Sequence, residues 1–160
     1  MIIEPVLETT LEYVDTIHVA GLTGRYDPSN YIRISELWKA FGTKAAFPGR
    51  LGDGETIGVF RERNFAAQSF EHLAGARIAA GAQPAELEVW TLPGREYLIF
   101  KQWLAEGDLH PQVASAQADI WSKRLPQSGR TLARAPDFQI YPARFTVGPG
   151  GWLAYYIPIE

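Results

Sequence analysis

Apolar residues along the chain alternate with polar ones in some stretches and recur every third or fourth position in others. The two periods mark strands and helices respectively. In DTIHVAGLTGRY, Ile17, Val19 and Gly21 alternate with His18, Ala20 and Leu22, which predicts a strand. With VLETTLEYV before it, this makes Pro5 to Tyr26 β-rich, and the cluster Tyr26-Asp27-Pro28-Ser29-Asn30 closes it as a turn. In YIRISELWKAF the spacing changes: Ile34, Leu37, Trp38 and Phe41 fall on one helical face, and Gly42 ends or weakens that helix. After the loop PGRLGDGE (Pro48 to Glu55) come two strands, ETIGVFRER and QSFEHLAGARIA, and then a break at Gly81 to Pro84.

The pattern then begins again. AELEVWTL and GREYLIFKQW read as strands meeting at Pro93-Gly94. DLHPQVASAQADIWSKRL reads as a helix, with Pro111 suited to its first turn and Val113, Ile120, Trp121 and Leu125 on its apolar face. Pro126 and Gly129 stop it. A strand over Asp137–Thr146, a Gly148–Gly151 turn and a strand over Trp152–Ile159 complete the chain. Each half therefore reads strand, helix, strand, strand, with Trp38 and Trp121 at matching points of the two helices. The expected fold is α+β: a duplicated β-α-β-β unit forming one pseudo-twofold antiparallel sheet, with helices near 31–42 and 111–125 on the same face. One unit could hardly cover its own sheet. The chain is therefore expected to be a single domain over 1–160, with repeat one at about 1–82 and repeat two at about 83–160.

Composition narrows the function. There are no cysteines, which removes disulfides and thiolate metal ligands. A net charge of −3, with scattered Lys and Arg, gives no basic stripe for nucleic acid, so direct DNA binding by this chain is not expected. No apolar run approaches a membrane span and MIIEPVLETT lacks signal-peptide character, so a soluble cytoplasmic protein is expected. Aromatic residues make up 12% of the chain, an excess that either builds a core or lines a pocket.

The chemistry-bearing residues are few. Gly49-Arg50-Leu51-Gly52-Asp53-Gly54 lacks the Gly-Lys-Ser/Thr of a phosphate loop. His18, His72 and His110 are not at metal-ligand spacing, so no metal and no cofactor are expected. His72 shares a strand face with Phe70 and Ala74. With no nucleophile elbow, general acid–base work by Glu, Tyr or His is the remaining catalytic route. Trp38 and Trp121 lie on apolar helix faces and are read as core. Trp90 alternates with Glu86 and Glu88, and Trp152 shares a face with Ala154 and Tyr156, so Trp90 and Trp152 are candidates for a pocket wall.

The order of helix, LPQSG, DFQIY, glycine turn and IPI resembles the GyrI-like effector-binding family, the ligand domain found alone or attached to AraC- and MerR-type regulators. VAGLTGRY, ISELWKAF, FEHLAG and PGREYLIF extend the resemblance over nearly the whole chain. It implies two repeats side by side with a ligand cleft where they meet, and a stand-alone small-molecule binding protein. With the residues already singled out by alternation, the candidate ligand residues are Gln139, Tyr141, Trp90, Trp152, Tyr156, His72 and Phe70. In the family's multidrug regulators a buried glutamate stands where this chain has Gln139, and many relatives carry an acid where it has Ala154. An amide offers a dipole and not a charge, so a neutral polar aromatic ligand fits better than a cation. Two alternatives follow from the same resemblance. One is a cyclopropanoid-type hydrolase using Tyr141 with an acid from Glu71 or Glu96. The other is a protein-interaction module such as a gyrase inhibitor. The expected state is monomer or homodimer.

Overall fold

The computed structural model describes residues 7–52, 54–105, 107–142 and 151–160. Strand β1 (Leu7–Val14) leads into β2 (Ile17–Tyr26), and helix α1 (Ile34–Gly42) follows a 3-10 turn at Tyr31–Arg33. Strands β3 (Thr56–Asn64), β4 (Ser69–Arg77), β5 (Glu88–Leu92) and β6 (Arg95–Trp103) come next. Helix α2 (Leu109–Asp119) runs on through a π-helical turn at Ile120–Arg124 and a short helical turn at Leu125–Gln127, and β7 (Asp137–Tyr141) and β8 (Trp152–Pro158) end the chain. The sequence-predicted strand at Asp137–Thr146 is formed as far as Tyr141. The rest of that prediction, and most of the glycine turn at 148–151, lie outside the described residues.

All eight strands join one antiparallel sheet in the order β1-β6-β8-β7-β3-β4-β2-β5. The order shows the duplication. Block β6-β8-β7 comes from the second repeat and block β3-β4-β2 from the first, and they meet at β7 and β3. The outer strands are exchanged: β1 pairs with β6 of the other repeat, and β5 pairs with β2.

Directly opposed residues share a face, so the register sorts the side chains. Leu22, Ala74, Gly58, Gln139, Tyr155 and Phe100 lie in one row across six strands. At one end of that row Leu37, Trp38 and Phe41 of α1 pack on Leu22, Ala74 and Ala76. At the other, Ile120, Trp121 and Leu125 pack on Leu98, Phe100, Tyr155 and Ile157. Both helices therefore cover the same face, as the repeated order of elements predicts.

The other face carries a second core, with Ile17, Val19, Ile57, Val59, Leu73, Trp90, Leu92, Tyr97, Ile99 and Phe138 buried. Its burial follows from two tight connections. Leu92 and Arg95 are joined by Pro93-Gly94 alone, yet β5 and β6 lie six strand positions apart. At roughly 4.8 Å per strand this would be about 29 Å in a flat sheet, far beyond a two-residue link. The β1–β2 connection imposes the same demand. The sheet therefore curls, and its inner face packs on itself.

Candidate functional site

The seam between the repeats, on the helix face, is floored by Gly58 and Phe60 of β3 and by Asp137, Gln139 and Tyr141 of β7. Alternation places the three β7 residues in a line along the strand. Gly58 is glycine for a spatial reason: a Cβ there would lie 3.1 Å from Trp38 Cζ2, 3.1 Å from His72 Cε1 and 3.4 Å from Tyr141 Cε2. The missing side chain lets Trp38 reach from α1 down to the sheet. There it meets Tyr141 edge-on, with ring centroids 5.5 Å apart, and His72 at 5.9 Å.

Two polar side chains in this seam are buried without full hydrogen bonding. Gln139 is 2% exposed; its Oε1 accepts from the Tyr141 hydroxyl, and its Nε2 has no partner. His72 is 1% exposed, packed among Phe60, Tyr26, Phe70 and Trp38, with neither ring nitrogen paired. Burial is the main cause that lowers the His72 pKa to about 4. The Val59 main chain opposes the shift without the alignment of a full hydrogen bond, and the Arg63 charge adds to it. His72 is therefore a neutral imidazole at neutral pH. Burial also pushes the Tyr141 hydroxyl above its ordinary pKa, so it stays protonated and donates to Gln139. A cavity of about 10 Å³ beside Gln139, lined also by Gln102, Gln117 and Tyr155, runs under α2.

At the other end of the floor is an ion pair. Arg63 Nε and Nη2 donate to the two oxygens of Asp137 at 2.7 Å each, and the Tyr155 hydroxyl donates to Asp137 Oδ2 at 2.5 Å. Asp137 is 2% exposed. Burial disfavours the Arg63 charge, but hydrogen bonding to Asp137 and its charge outweigh that and raise the guanidinium pKa above its ordinary value. Burial, followed by the Asp137 charge, raises Tyr155 well above its own. The guanidinium is ringed by Phe60 at 4.7 Å, Phe70 at 5.4 Å and Trp121 at 5.4 Å.

Simple alternation would put Arg61 and Arg63 on the same face. The sheet register slips between Arg61 and Asn64, where Glu62 takes a positive φ of 53°, and this bulge turns Arg63 onto the helix face. Trp121 is held by the π-helical turn, a break in α-helical spacing of the kind often found at functional sites.

The structure divides the sequence-predicted residues. Gln139, Tyr141, His72 and Phe70 share the helix face. Trp90 and Tyr156 lie on the opposite, inner face. Trp90 is covered by the Arg61 guanidinium at 3.7 Å, and its Nε1 donates to Glu88; Tyr156 stacks on Phe138 at 4.5 Å. Arg61, Trp90, Thr23, Arg25, Glu71 and Glu88 line a polar cavity of about 180 Å³. Trp152 is 43% exposed at the end of β8, edge-on to Trp103 at 5.4 Å.

Neither candidate acid meets Tyr141. Glu71 projects from the inner face, bound by Arg61 and Arg25, and the Arg61 hydrogen bond is the main cause holding its pKa below the usual carboxylate range. Glu96 lies exposed opposite Tyr13 on β1. The acid–tyrosine pair expected for hydrolysis is thus not assembled from these residues: strand parity puts Glu71 on the other face, and Glu96, though on the face of Tyr141, stands toward the opposite end of the sheet register. Asp137, Arg63, Tyr155 and Phe60 are the residues that sequence reasoning passed over. Asp137 opens the DFQIY motif, and the one charged residue of that strand is the signal that could have found it. Among the described residues, no group of three His, Cys, Asp or Glu is gathered for a metal.

Two halves of four strands and one helix each, sharing one antiparallel sheet with both helices on the same face, define the class of α+β domain to which the chain belongs. The chain belongs to the Cass2 family of integron-associated effector binding proteins, which matches it over residues 10–159. SAV2435, solved bound to tetraphenylphosphonium, is similar in fold with a TM-score of 0.74 at 17% identity, over 96% of this chain and 94% of that one. An integron cassette protein from the mobile metagenome of Vibrio cholerae gives 0.70 at 15% identity, over 95% of each chain. A putative transcription regulation protein from Staphylococcus aureus MU50 gives 0.71 at 16% identity, over 96% and 98%. No curated protein matches the sequence. No helix among the described residues is long and apolar enough to cross a membrane.

Proposed function

We propose that the chain binds a small aromatic molecule in the seam between α1 and the π-helical turn, over β3 and β7. The observation that carries this reading is the unpaired polar groups there: Gln139 Nε2 and both ring nitrogens of His72. Buried donors and acceptors left unmatched cost roughly 1–3 kcal/mol each, and a ligand that pairs with them recovers that energy on binding. Trp38 and Tyr141 supply the stacking surface. Since the void beside Gln139 is far smaller than a drug-sized ligand, entry requires Trp38 to part from Tyr141. Family membership and the tetraphenylphosphonium-bound relative support small-molecule binding in general. Gln139, in place of a carboxylate, favours an uncharged ligand with a carbonyl or hydroxyl that accepts from Nε2.

Titration with neutral aromatic amides and phenols, read by tryptophan fluorescence, tests it. Binding should quench the emission. Trp38→Phe should abolish most of the quenching, and Gln139→Leu should weaken binding about tenfold, the loss of one buried hydrogen bond. Ligands that bind both variants as they bind the native protein would place the site elsewhere.

A further inference from the structure

We propose that Arg63 is a built-in cation that fills a cation seat at the end of the seam and so keeps cationic ligands out of this protein. The inference rests on the seam being the ligand site and adds the charge class that it rejects. The seat has the two parts that recognise an organic cation. Rings of Phe60, Phe70 and Trp121 surround the guanidinium carbon at 4.7–5.4 Å, and the Asp137 carboxylate, oriented by the Tyr155 hydroxyl, pairs with it through two bonds.

A surface ion pair would carry no such meaning, but the Asp137 side chain is 3% exposed while the Arg63 side chain keeps 21% exposure. The acid is the fixed element and the cation the reachable one. The backbone supports the assignment independently: the positive φ at Glu62 is a conformation L residues seldom adopt, and its effect is to bring Arg63 across from the face that Arg61 occupies. Asp137 also lies two residues from Gln139 on the same strand face, so the filled seat and the unpaired amide belong to one groove. A cationic ligand entering that groove would meet the Arg63 charge and would have to displace a chelated guanidinium held within the same chain. A neutral ligand faces neither obstacle.

The test vacates the seat. Benzamidine carries a planar amidinium like the Arg63 head group, and benzamide is its uncharged near-isostere. Affinity for each is measured by tryptophan fluorescence and by the shift in unfolding midpoint, for the native protein, Arg63→Ala and Arg63→Ala/Asp137→Asn. Native protein should show no preference for the amidine. Arg63→Ala should bind benzamidine about tenfold or more tightly over benzamide, and the double variant should lose that preference. Folding of Arg63→Ala only when benzamidine is supplied would equally support the seat. If it does not fold at all, Arg63→Met keeps the stem between the rings without the charge and carries the same comparison. Native protein that binds benzamidine as tightly as the variant would overturn the proposal, as would a preference that survives loss of Asp137. Failure of the seam reading looks different: neutral ligands would then ignore Trp38 and Gln139 while the Arg63 variants still separated amidine from amide.

Discussion

Acidification below about pH 6.5 should destabilise this protein through His72. An unfolded histidine titrates near 6.5, and buried His72 titrates near 4. Between these values the unfolded chain binds a proton that the folded chain refuses. Stability attributable to His72 is therefore fully present above the unfolded pKa and is lost as pH falls toward the folded one. The shift corresponds to about 3 kcal/mol in total, of which about 2 kcal/mol is gone by pH 5. That is a large share of the 5–15 kcal/mol typical of a domain. The groups packed around His72 explain why no rescue is available: Tyr26, Phe60, Phe70 and Trp38 offer no negative charge, and the nearby charge is that of Arg63. Glu71, Glu86 and Asp27, whose folded pKa values are lowered, add acid sensitivity only as pH falls toward their unfolded values of 4.5, 4.5 and 3.8, below the window from about pH 6.5 to 5 in which His72 acts. Urea unfolding at pH 7, 6 and 5 of native protein and His72→Leu measures the effect. His18 and His110 are common to both and cancel. The native protein should lose about 2 kcal/mol more than the variant across this range. Parallel loss in the two would refute the reasoning and mean that His72 is paired or hydrated in solution.

Other outcomes follow from the same geometry. Gln139→Glu puts a carboxylate in the seam beside Tyr141, and should improve binding of cationic aromatic dyes relative to neutral ones by about 1–3 kcal/mol in fluorescence titration. Gly58→Ala should cost about 1–2 kcal/mol in denaturant unfolding, because the new methyl presses on Trp38 and His72. Glu62→Gly should be stabilising by about 0.5–1 kcal/mol in the same assay, since glycine accepts the positive φ without strain. In a duplex-binding titration at varied salt, this chain alone should show no steep salt-dependent affinity, for want of clustered Lys and Arg.

The fold was legible because its two periods are clean. Ile34, Leu37, Trp38 and Phe41 recur at helical spacing, the strands alternate, and the repetition of the order set both helices on one face. The candidate site was legible only in part. Alternation within one strand grouped His72 with Phe70, and the family resemblance grouped Gln139 with Tyr141, but parity within one strand says nothing about which residues of another strand share its face. Trp90, Tyr156 and Glu71 were grouped with Gln139 for that reason, although the sheet separates them. Arg63 was hidden for a different reason. A one-residue bulge at a glutamate leaves no mark in the pattern of apolar and polar positions, and it reverses the face of the residue after it.

The exchange of outer strands has a consequence for how the chain comes together. β1 leaves the ribosome before the other strands, but its partner β6 follows roughly ninety residues later, so β1 must wait unpaired through most of synthesis. Its sequence suits that wait: Glu8, Thr9, Thr10 and Glu12 keep the strand polar, and charges along a free edge discourage pairing with another chain. A chain cut at Gly81–Pro84 would give two pieces, each holding the edge strand the other lacks. Supplied together, they have reason to find one another.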